Sequence, residues 1–337
     1  MNTVGEQSLS LAEQHFMAMG TLVLVTIPIE EEALRTQADG AIAEVRKLLQ
    51  EFGRDGWAWG SGALASFNRS LGEGRRALVP PVLKPLFARA WEIHHASGGL
   101  FEPRIGALVR LWGFDDMARL RSAPPDAVEI HQLLTQMSAA PAYHGEDFYG
   151  PALGVVWDLG AIGKGYIVDL ALDWLHQRGF GNAIINAGGN VAARGTRRDR
   201  PWHIGIRDPR VSAELPQLLA ALDVHDESVI THGDDQRYFE HDGQRYAHLL
   251  HPHSGTPVHG LRSLTVVHAD GTLADAGGAA LFVAGLEGWP QLARQLGIQQ
   301  VLAVADDGTV WVSEPLAARM QAAAGLSVKV VRQGASD

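Results

Sequence analysis

The sequence predicts an α+β fold of mixed sheets with packed helices, in one large domain or two intimately joined halves. Candidate helices and short apolar strands follow one another without a regular strand–helix–strand repeat, so a doubly wound parallel sheet is not expected. The hydrophobic fraction is 46% and the charged fraction 20% over 337 residues, which is typical of a chain with a sizeable buried core. No internal repeat or low-complexity tract divides the chain.

The predicted domain covers residues 15–325. A disordered N-terminal tail is expected at residues 1–14 and a C-terminal tail at residues 326–337. The first fourteen residues are polar and acidic, without the basic start and apolar run of a secretory signal. No stretch of about 18 apolar residues is present, so no membrane span is expected. The sequence therefore predicts a cytoplasmic protein.

Charge and cysteine content exclude several classes of function. The formal net charge is −10, from 38 acidic and 28 basic side chains. The sequence contains no block of lysine and arginine that could follow a phosphate backbone, so nucleic-acid binding is not expected. The absence of cysteine excludes disulfides, thiolate metal sites and cysteine nucleophiles. An anionic ligand stays open, because helix N-termini and backbone N–H groups bind phosphate without net positive charge.

The first half of the chain is predicted to hold one strand and several helices. Phe16 to Ile29 is β-branched and apolar, which predicts a buried strand interrupted at Gly20. Apolar residues at helical spacing predict a helix from Glu30 to Phe52. The other expected segments are a Gly/Trp-rich loop at Gly53–Gly62, a helix at Pro80–His95, an apolar segment at Ile105–Phe114, and a surface excursion at Ser122–Gly150 containing a helical stretch at Val128–Met137.

The second half alternates short strands with turns. A strand at Val155–Leu159, a turn at Gly160–Gly165 and a helix at Tyr166–Gln177 are expected in succession. A last helix is expected at Ala274–Gly285. The remaining predicted strands are Ala183–Ala187, Trp202–Ile206, Val229–Thr231, Arg245–Leu250 and Leu264–His268.

The glycine turn after the Val155–Leu159 segment is the sharpest local motif. It reads Asp-Leu-Gly-Ala-Ile-Gly-Lys-Gly-Tyr from Asp158 to Tyr166. Such a turn lets the backbone approach a phosphate, while the helix N-terminus and Lys164 supply positive charge. It has neither a Walker A pattern nor the spacing of a dinucleotide fingerprint. From these residues alone, a phosphate site and a plain structural turn both stay open.

Three further patterns each have two interpretations. The turn Asn186–Asn190 brings backbone amides to a ligand or is ordinary turn chemistry. The histidines around Thr231–Asp235 and His241–His253 point to metal or acid/base chemistry, or to a solvated loop. Asp275, near a helix start, is a Mg²⁺ ligand or a capping acid. A serine hydrolase is excluded, because no GxSxG motif is present.

In combination and order, these segments resemble the ApbE family, the FAD:protein FMN transferases, over residues 16–320. The resemblance implies a family-specific, T-fold-like α+β domain that binds FAD and Mg²⁺. It also implies a reaction in which FMN passes from FAD to a Thr or Ser hydroxyl of a target flavoprotein, with release of AMP. The matching segments are Met19–Thr21, Phe67–Asn68, Gly99–Pro103, Leu111–Phe114, Asp158–Tyr166, Asn186–Asn190, Trp202–Pro209, Thr231–Phe239, His248–Pro257 and Ala274–Gly285.

The resemblance assigns roles to individual positions. It implies that His248 is the catalytic histidine, and that the Ala161 carbonyl and the Asp275 carboxylate are metal ligands. The positions implied to line the FAD site are Met19, Trp59, Leu100, Phe101, Glu102, Asp158, Lys164 and Leu250.

The chain departs from the family pattern around the metal. Ala279 stands where the family has a threonine ligand, and Gly278 precedes it. Losing a hydroxyl is expected to weaken Mg²⁺ binding, since this ion prefers oxygen ligands. His232 replaces a serine and His251 an aspartate, and they either recruit a softer metal or only fill space. A catalytically weak FAD carrier or regulator and an FAD pyrophosphatase therefore stay open beside the transferase.

Overall fold

The computed structural model describes residues 10–211, 217–234 and 237–332. The helices are α1 Arg35–Asp55, α2 Ala63–Gly72, α3 Lys84–Ala96, α4 Gly106–Leu111, α5 Ala127–Ala139, α6 Gly163–His176, α7 Gly271–Gln295 and α8 Glu314–Ala317, with 3₁₀ turns at Glu32–Leu34 and Met117–Arg119. The strands are β1 Ser10–Ala18, β2 Thr21–Ile29, β3 Ala77–Leu78, β4 Phe148–Tyr149, β5 Ala183–Ala187, β6 Asn190–Arg194, β7 Trp202–Arg207, β8 Leu218–Val224, β9 Ser228–Gly233, β10 Tyr238–His241, β11 Gln244–Ala247, β12 Leu261–His268, β13 Gln300–Ala305, β14 Val310–Ser313, β15 Gln321–Ala322 and β16 Val328–Val331.

A nine-stranded sheet organises the domain and confirms the predicted α+β class. Its order is β1-β2-β5-β6-β9-β12-β13-β14-β16. All neighbouring strands are antiparallel except β14 and β16, which are parallel. The described residues also form three smaller sheets, β15-β8-β7, β10-β11 and β3-β4.

The predicted first strand is a hairpin of two strands. Met19 and Gly20 both have positive φ angles, 52° and 72°, and reverse the chain so that Ala18 pairs with Thr21. Periodicity alone does not reveal this reversal, because the last residues of β1, from Phe16 to Ala18, are as apolar as β2. The hairpin also shortens the predicted N-terminal tail, since residues 10–14 belong to β1. Residues 1–9 lie outside the described part of the chain.

The C-terminal tail is likewise shorter than predicted. Val328–Val331 forms β16 and pairs with β14 at the edge of the large sheet. The predicted boundary at residue 325 therefore cuts off one strand of the domain. Residues 333–337 lie outside the described residues.

Helices cover the sheet and create its cores. α1 and α6 pack with β1, β2 and β5 around a buried apolar cluster. α7 packs against α6 and across β9 and β12, so its buried residues join the largest core. α4, α5 and the β10-β11 hairpin share a small aromatic core in which Trp112 stacks on Tyr246. The helix predicted at Val128–Met137 is confirmed as α5.

Several predicted elements differ in the structure. Val155–Leu159 is not a strand, because the Asn68 side chain bonds both the N–H and the carbonyl of Trp157, at 2.9 and 2.8 Å. Only Val156 forms an isolated bridge there. The last helix continues past a non-helical Gly285 to Gln295. The strand predicted at Arg245–Leu250 ends at Ala247. The elements that sequence reasoning missed include α2, β6, β8, β13 and β14.

Within the described ranges, none of the helices has the length and apolar character needed to cross a bilayer.

Candidate functional site

One deep cleft gathers the residues that the sequence marked as functional. Its volume is about 590 Å³, a size that suits a small-molecule ligand. The β1-β2 turn, the loop before α6, the middle of α7 and the end of β9 form its walls. The predicted site residues that line it are Met19, Trp59, Leu100, Phe101, Glu102, Asp158, Ala161, Lys164, His248, Leu250 and Asp275.

The N-terminus of α6 and Lys164 give one wall a positive character. α6 begins at Gly163, so its first turn, including Lys164, borders the cleft. The N–H groups of Gly163, Gly165 and Tyr166 already have hydrogen-bond partners, so the helix dipole and the Lys164 charge are what favour an anion here. The Lys164 charge also lowers the pKa values of Asp158 and His248. This wall fits the phosphate site that the glycine turn left open.

Asp158 shapes the turn before α6. Its Oδ1 accepts the N–H of Gly160 at 2.9 Å. Burial raises the pKa of the Asp158 carboxyl, while the Gly160 hydrogen bond and the charges of Arg237 and Lys164 act in the opposite direction. The carboxyl is thus held beside Lys164 and the N-terminus of α6 by a backbone contact.

Asp275 ties three separate chain segments together. Its carboxylate is 1% exposed and accepts the Gly165 N–H at 2.9 Å and the Asn190 side-chain amide at 3.1 Å. A Cβ on Gly165 would lie 2.1 Å from the carbonyl oxygen of Gly271. Close packing of α6 on α7 therefore requires glycine at position 165. Asp275 is a buried acceptor in the middle of the site and not a helix cap, because Asp270 caps α7.

The second glycine turn also has a packing reason. Gly188 has a φ of 63°, and a Cβ there would lie 2.2 Å from Thr21 Oγ1. The two hairpin turns therefore pack against each other. Asn190, the first residue of β6 after the second turn, donates its side-chain amide to Asp275. The sequence showed Asn190 only as the end of a turn motif, so its role as a partner of Asp275 was missed.

The residues around Asp275 provide a limited set of metal ligands. Within the described parts of the chain, no three histidine, aspartate or glutamate side chains are grouped so that they could hold a metal ion. Ala279 lines the cleft without a hydroxyl. The His232 Nε2 lies 3.9 Å from Asp275 Oδ1 and is buried without a hydrogen-bond partner. One carboxylate, one imidazole and the Ala161 carbonyl fit a divalent ion only if the ligand supplies further oxygens.

His248 is a neutral base at physiological pH. Burial, helped by the positive charge of Arg237, lowers the pKa of its imidazole to about 4. Its Nδ1 is buried and has no hydrogen-bond partner. The neutral imidazole can accept a proton, but with this lowered pKa it is a weaker base than an ordinary histidine with a pKa of about 6.5. The sequence did not single out Arg237, which lines the cleft inside the matched segment Thr231–Phe239.

The other histidines divide between the cleft and the surrounding loop. His232 lines the cleft, and burial lowers its pKa although the Asp275 charge acts in the opposite direction. His251 is not among the cleft residues; its Nδ1 accepts the His253 N–H at 3.2 Å, and its backbone closes a turn with Thr256. The structure therefore separates His251 from the site that holds His248.

Glu102 borders the cleft but is already engaged. Both of its oxygens accept from the Arg104 guanidinium at 2.8 Å, and Arg104 lies over the Trp91 ring. The pair is buried, which fixes the loop that carries Leu100 and Phe101 into the cleft. Trp59, another residue of the cleft lining, has the Arg110 guanidinium 4.8 Å from the centre of its ring.

These features define a class of protein: an α+β domain whose ligand cleft combines a helix N-terminus, a lysine and a neutral imidazole. That arrangement is suited to a phosphate-bearing ligand. The family model described as ApbE matches residues 19–302, and the chain belongs to the ApbE family. The resemblance noted from the motifs is thereby confirmed.

Individual relatives agree with this assignment. The chain is 34% identical to an FAD:protein FMN transferase of Rhodobacter capsulatus over 92% of its own length and 58% of that protein. It is 31% identical to one of Treponema pallidum, covering 90% of this chain and 87% of the relative. The ApbE protein of Thermotoga maritima has the same fold, with a TM-score of 0.81, 26% identity and coverage of 92% and 99% of the two chains. The flavinyl transferase ApbE of Pseudomonas stutzeri matches with a TM-score of 0.76 and 26% identity, covering 90% of this chain and 93% of that chain.

Proposed function

We propose that this chain is an FAD:protein FMN transferase. In this reaction the hydroxyl oxygen of an acceptor Thr or Ser forms a bond to the FAD phosphorus nearest the flavin. The P–O bond of the pyrophosphate bridge breaks, AMP leaves with the bridging oxygen, and the hydroxyl gives up its proton. The observation that carries the proposal is the meeting of Lys164, the α6 N-terminus and His248 in one cleft.

Each of these groups has a separate task. The first turn of α6 and Lys164 bind the pyrophosphate and offset its negative charge. His248, whose imidazole is neutral and lines the cleft, accepts the proton of the acceptor hydroxyl. A divalent cation held by Asp275 and the Ala161 carbonyl would supply further positive charge at the pyrophosphate. The apolar residues Leu100, Phe101 and Leu250 form the wall against which the flavin ring packs.

The test is direct detection of FMN on an acceptor. The purified chain is incubated with FAD, Mg²⁺ or Mn²⁺ and a flavoprotein fragment that carries an acceptor threonine, and the fragment mass is measured. A mass increment equal to FMN less one water, which is the mass of FAD minus that of AMP, supports transfer. Release of free FMN and AMP without an adduct would make the chain an FAD pyrophosphatase, and FAD binding without either product would make it a carrier or regulator.

Two matched histidine variants test the base. His248→Asn should keep FAD binding, measured by calorimetry, and lose transfer. His251→Asn should transfer at nearly the wild-type rate, because His251 lies outside the cleft lining. Equal losses in the two variants would contradict the assignment of His248 alone.

The target flavoprotein and the cytoplasmic location stay predictions. An acceptor protein with a Thr or Ser in a recognisable motif, encoded near this chain, would support the transferase. Fractionation of cells that produce the protein tests its location.

A further inference from the structure

A buried imidazole nitrogen without a partner lies beside Asp275. His232 Nε2 makes no hydrogen bond within the described part of the chain and lies 3.9 Å from Asp275 Oδ1. Leaving a buried polar atom unpaired costs about 1 to 3 kcal/mol. A buried, unpaired nitrogen next to a carboxylate is therefore a candidate ligand for a bound ion or molecule.

The neighbouring helix is shaped around this ring. A Cβ on Gly278 would lie 2.7 Å from both Cδ2 and Nε2 of His232, so any side chain at position 278 would displace the imidazole. Gly278 is one helical turn after Asp275 on α7, on the side that faces the ring. Because position 278 is glycine, the His232 ring occupies the space that a side chain there would fill, beside the Asp275 carboxylate.

We propose that His232 Nε2 is a metal ligand and that, with Asp275, it makes this a nitrogen and oxygen site that takes a first-row transition-metal ion in preference to Mg²⁺. The binding claim stands on the geometry, and only its role in catalysis rests on the proposed function. The imidazole thus replaces the hydroxyl that Ala279 does not supply.

The distance between the two side chains permits a shared ion. Two ligand atoms that each lie about 2.1 Å from one ion are at most about 4.2 Å apart, and the observed separation is 3.9 Å. The Gly165 N–H and the Asn190 amide already orient the Asp275 carboxylate, as supporting hydrogen bonds do in other metal sites. Imidazole suits transition metals, whereas Mg²⁺ prefers oxygen and water.

The test measures metal binding to the full chain without a histidine tag and without any transfer assay. Calorimetry of the metal-stripped protein with Co²⁺ and with Mg²⁺ should show tighter binding of Co²⁺. His232→Ser should weaken Co²⁺ binding by at least about tenfold, since even residues that only support a ligand cost that much when removed. The same variant should leave Mg²⁺ affinity nearly unchanged and should shift the visible absorption of bound Co²⁺.

Controls separate this site from the other histidines. Asp275→Asn should remove the Co²⁺ site, while His251→Ala should leave its affinity and spectrum unchanged. If His232→Ser does not fold, which far-UV circular dichroism reports, His232→Gln serves instead, because it also removes the imidazole nitrogen but fills more of the ring's space than serine does.

Two results would overturn the inference. One is an unchanged Co²⁺ affinity and spectrum in His232→Ser; the other is tighter binding of both ions, which would mean that the ring blocks the site. Transfer of FMN with Mg²⁺ but no Co²⁺ signature from His232 would refute this inference and leave the proposed function standing. A Co²⁺ signature in a protein that never transfers FMN would do the reverse.

Discussion

Replacing Gly165 with alanine tests whether the contact between α6 and α7 holds the site together. The new Cβ would lie 2.1 Å from the Gly271 carbonyl oxygen and 2.8 Å from the Asp275 Cβ, where ordinary contacts begin near 3.4 Å. The helices would have to separate by about 1.3 Å, the difference between 3.4 and 2.1 Å. No flexible side-chain end is available to absorb this shift, because the obstructing atoms are backbone or Cβ.

The expected loss of stability follows from three terms. Overpacking of a tight contact costs about 1 to 3 kcal/mol. Losing the hydrogen bond from the Gly165 N–H to the Asp275 carboxylate costs about 1.5 to 3 kcal/mol. Alanine returns about 1 kcal/mol through its higher helix propensity. The free energy of unfolding of Gly165→Ala should therefore fall by about 1.5 to 5 kcal/mol.

A second glycine provides the matched control. Gly40 lies inside α1 with nothing within 4 Å of its Cβ position, so Gly40→Ala should raise stability by up to about 1 kcal/mol. Urea unfolding, followed by circular dichroism and tryptophan fluorescence, measures both variants, and calorimetry measures their FAD binding. If Gly165→Ala shifts the urea midpoint upwards as Gly40→Ala does, and binds FAD normally, the packing argument fails.

Other predictions concern single charges and protons in the cleft. Lys164→Ala should weaken FAD binding by about 1.5 to 3 kcal/mol in calorimetry, whereas Lys84→Ala, an exposed lysine paired with Asp147, should not. His248 has a pKa of about 4 in the folded chain and about 6.5 when unfolded. The unfolded chain therefore takes up this proton first, and stability should fall by about 3 kcal/mol between about pH 6.5 and 4 on its account. Burial raises the pKa of Asp169 to about 6, so this group stabilises the fold as pH falls from 6 to 4 and opposes the histidine effect. The difference in unfolding free energy between wild type and His248→Asn, measured against pH, isolates the histidine. Equal curves for the two proteins would contradict the lowered pKa of His248. In the free enzyme the acid limb of kcat/KM should lie well below pH 6.5. Ala279→Thr should raise Mg²⁺ affinity in calorimetry, and an unchanged affinity would place position 279 away from the ion.

The sequence determined the fold class, the family and the predicted site residues that line the cleft, but not Arg237 or the role of Asn190. Motifs such as Asp158–Tyr166 are local in the chain, and glycine, lysine and histidine have fixed chemical properties, so their order is enough to mark them. Buried helices such as α6 and α7 carry apolar periodicity that is also local. These features can be predicted without knowing which segments meet.

Only the tertiary structure decided how the segments meet and what their environments do to them. The Asn68 side chain replaces a strand partner for Trp157, and Asn190 at the start of β6 bonds Asp275 on α7. Burial lowers the pKa of His248 and isolates the nitrogen of His232 beside a carboxylate, while His251, only three residues from His248, falls outside the cleft. Burial and partner choice depend on contacts between residues far apart in the chain, and periodicity and motif spacing contain no information about those contacts.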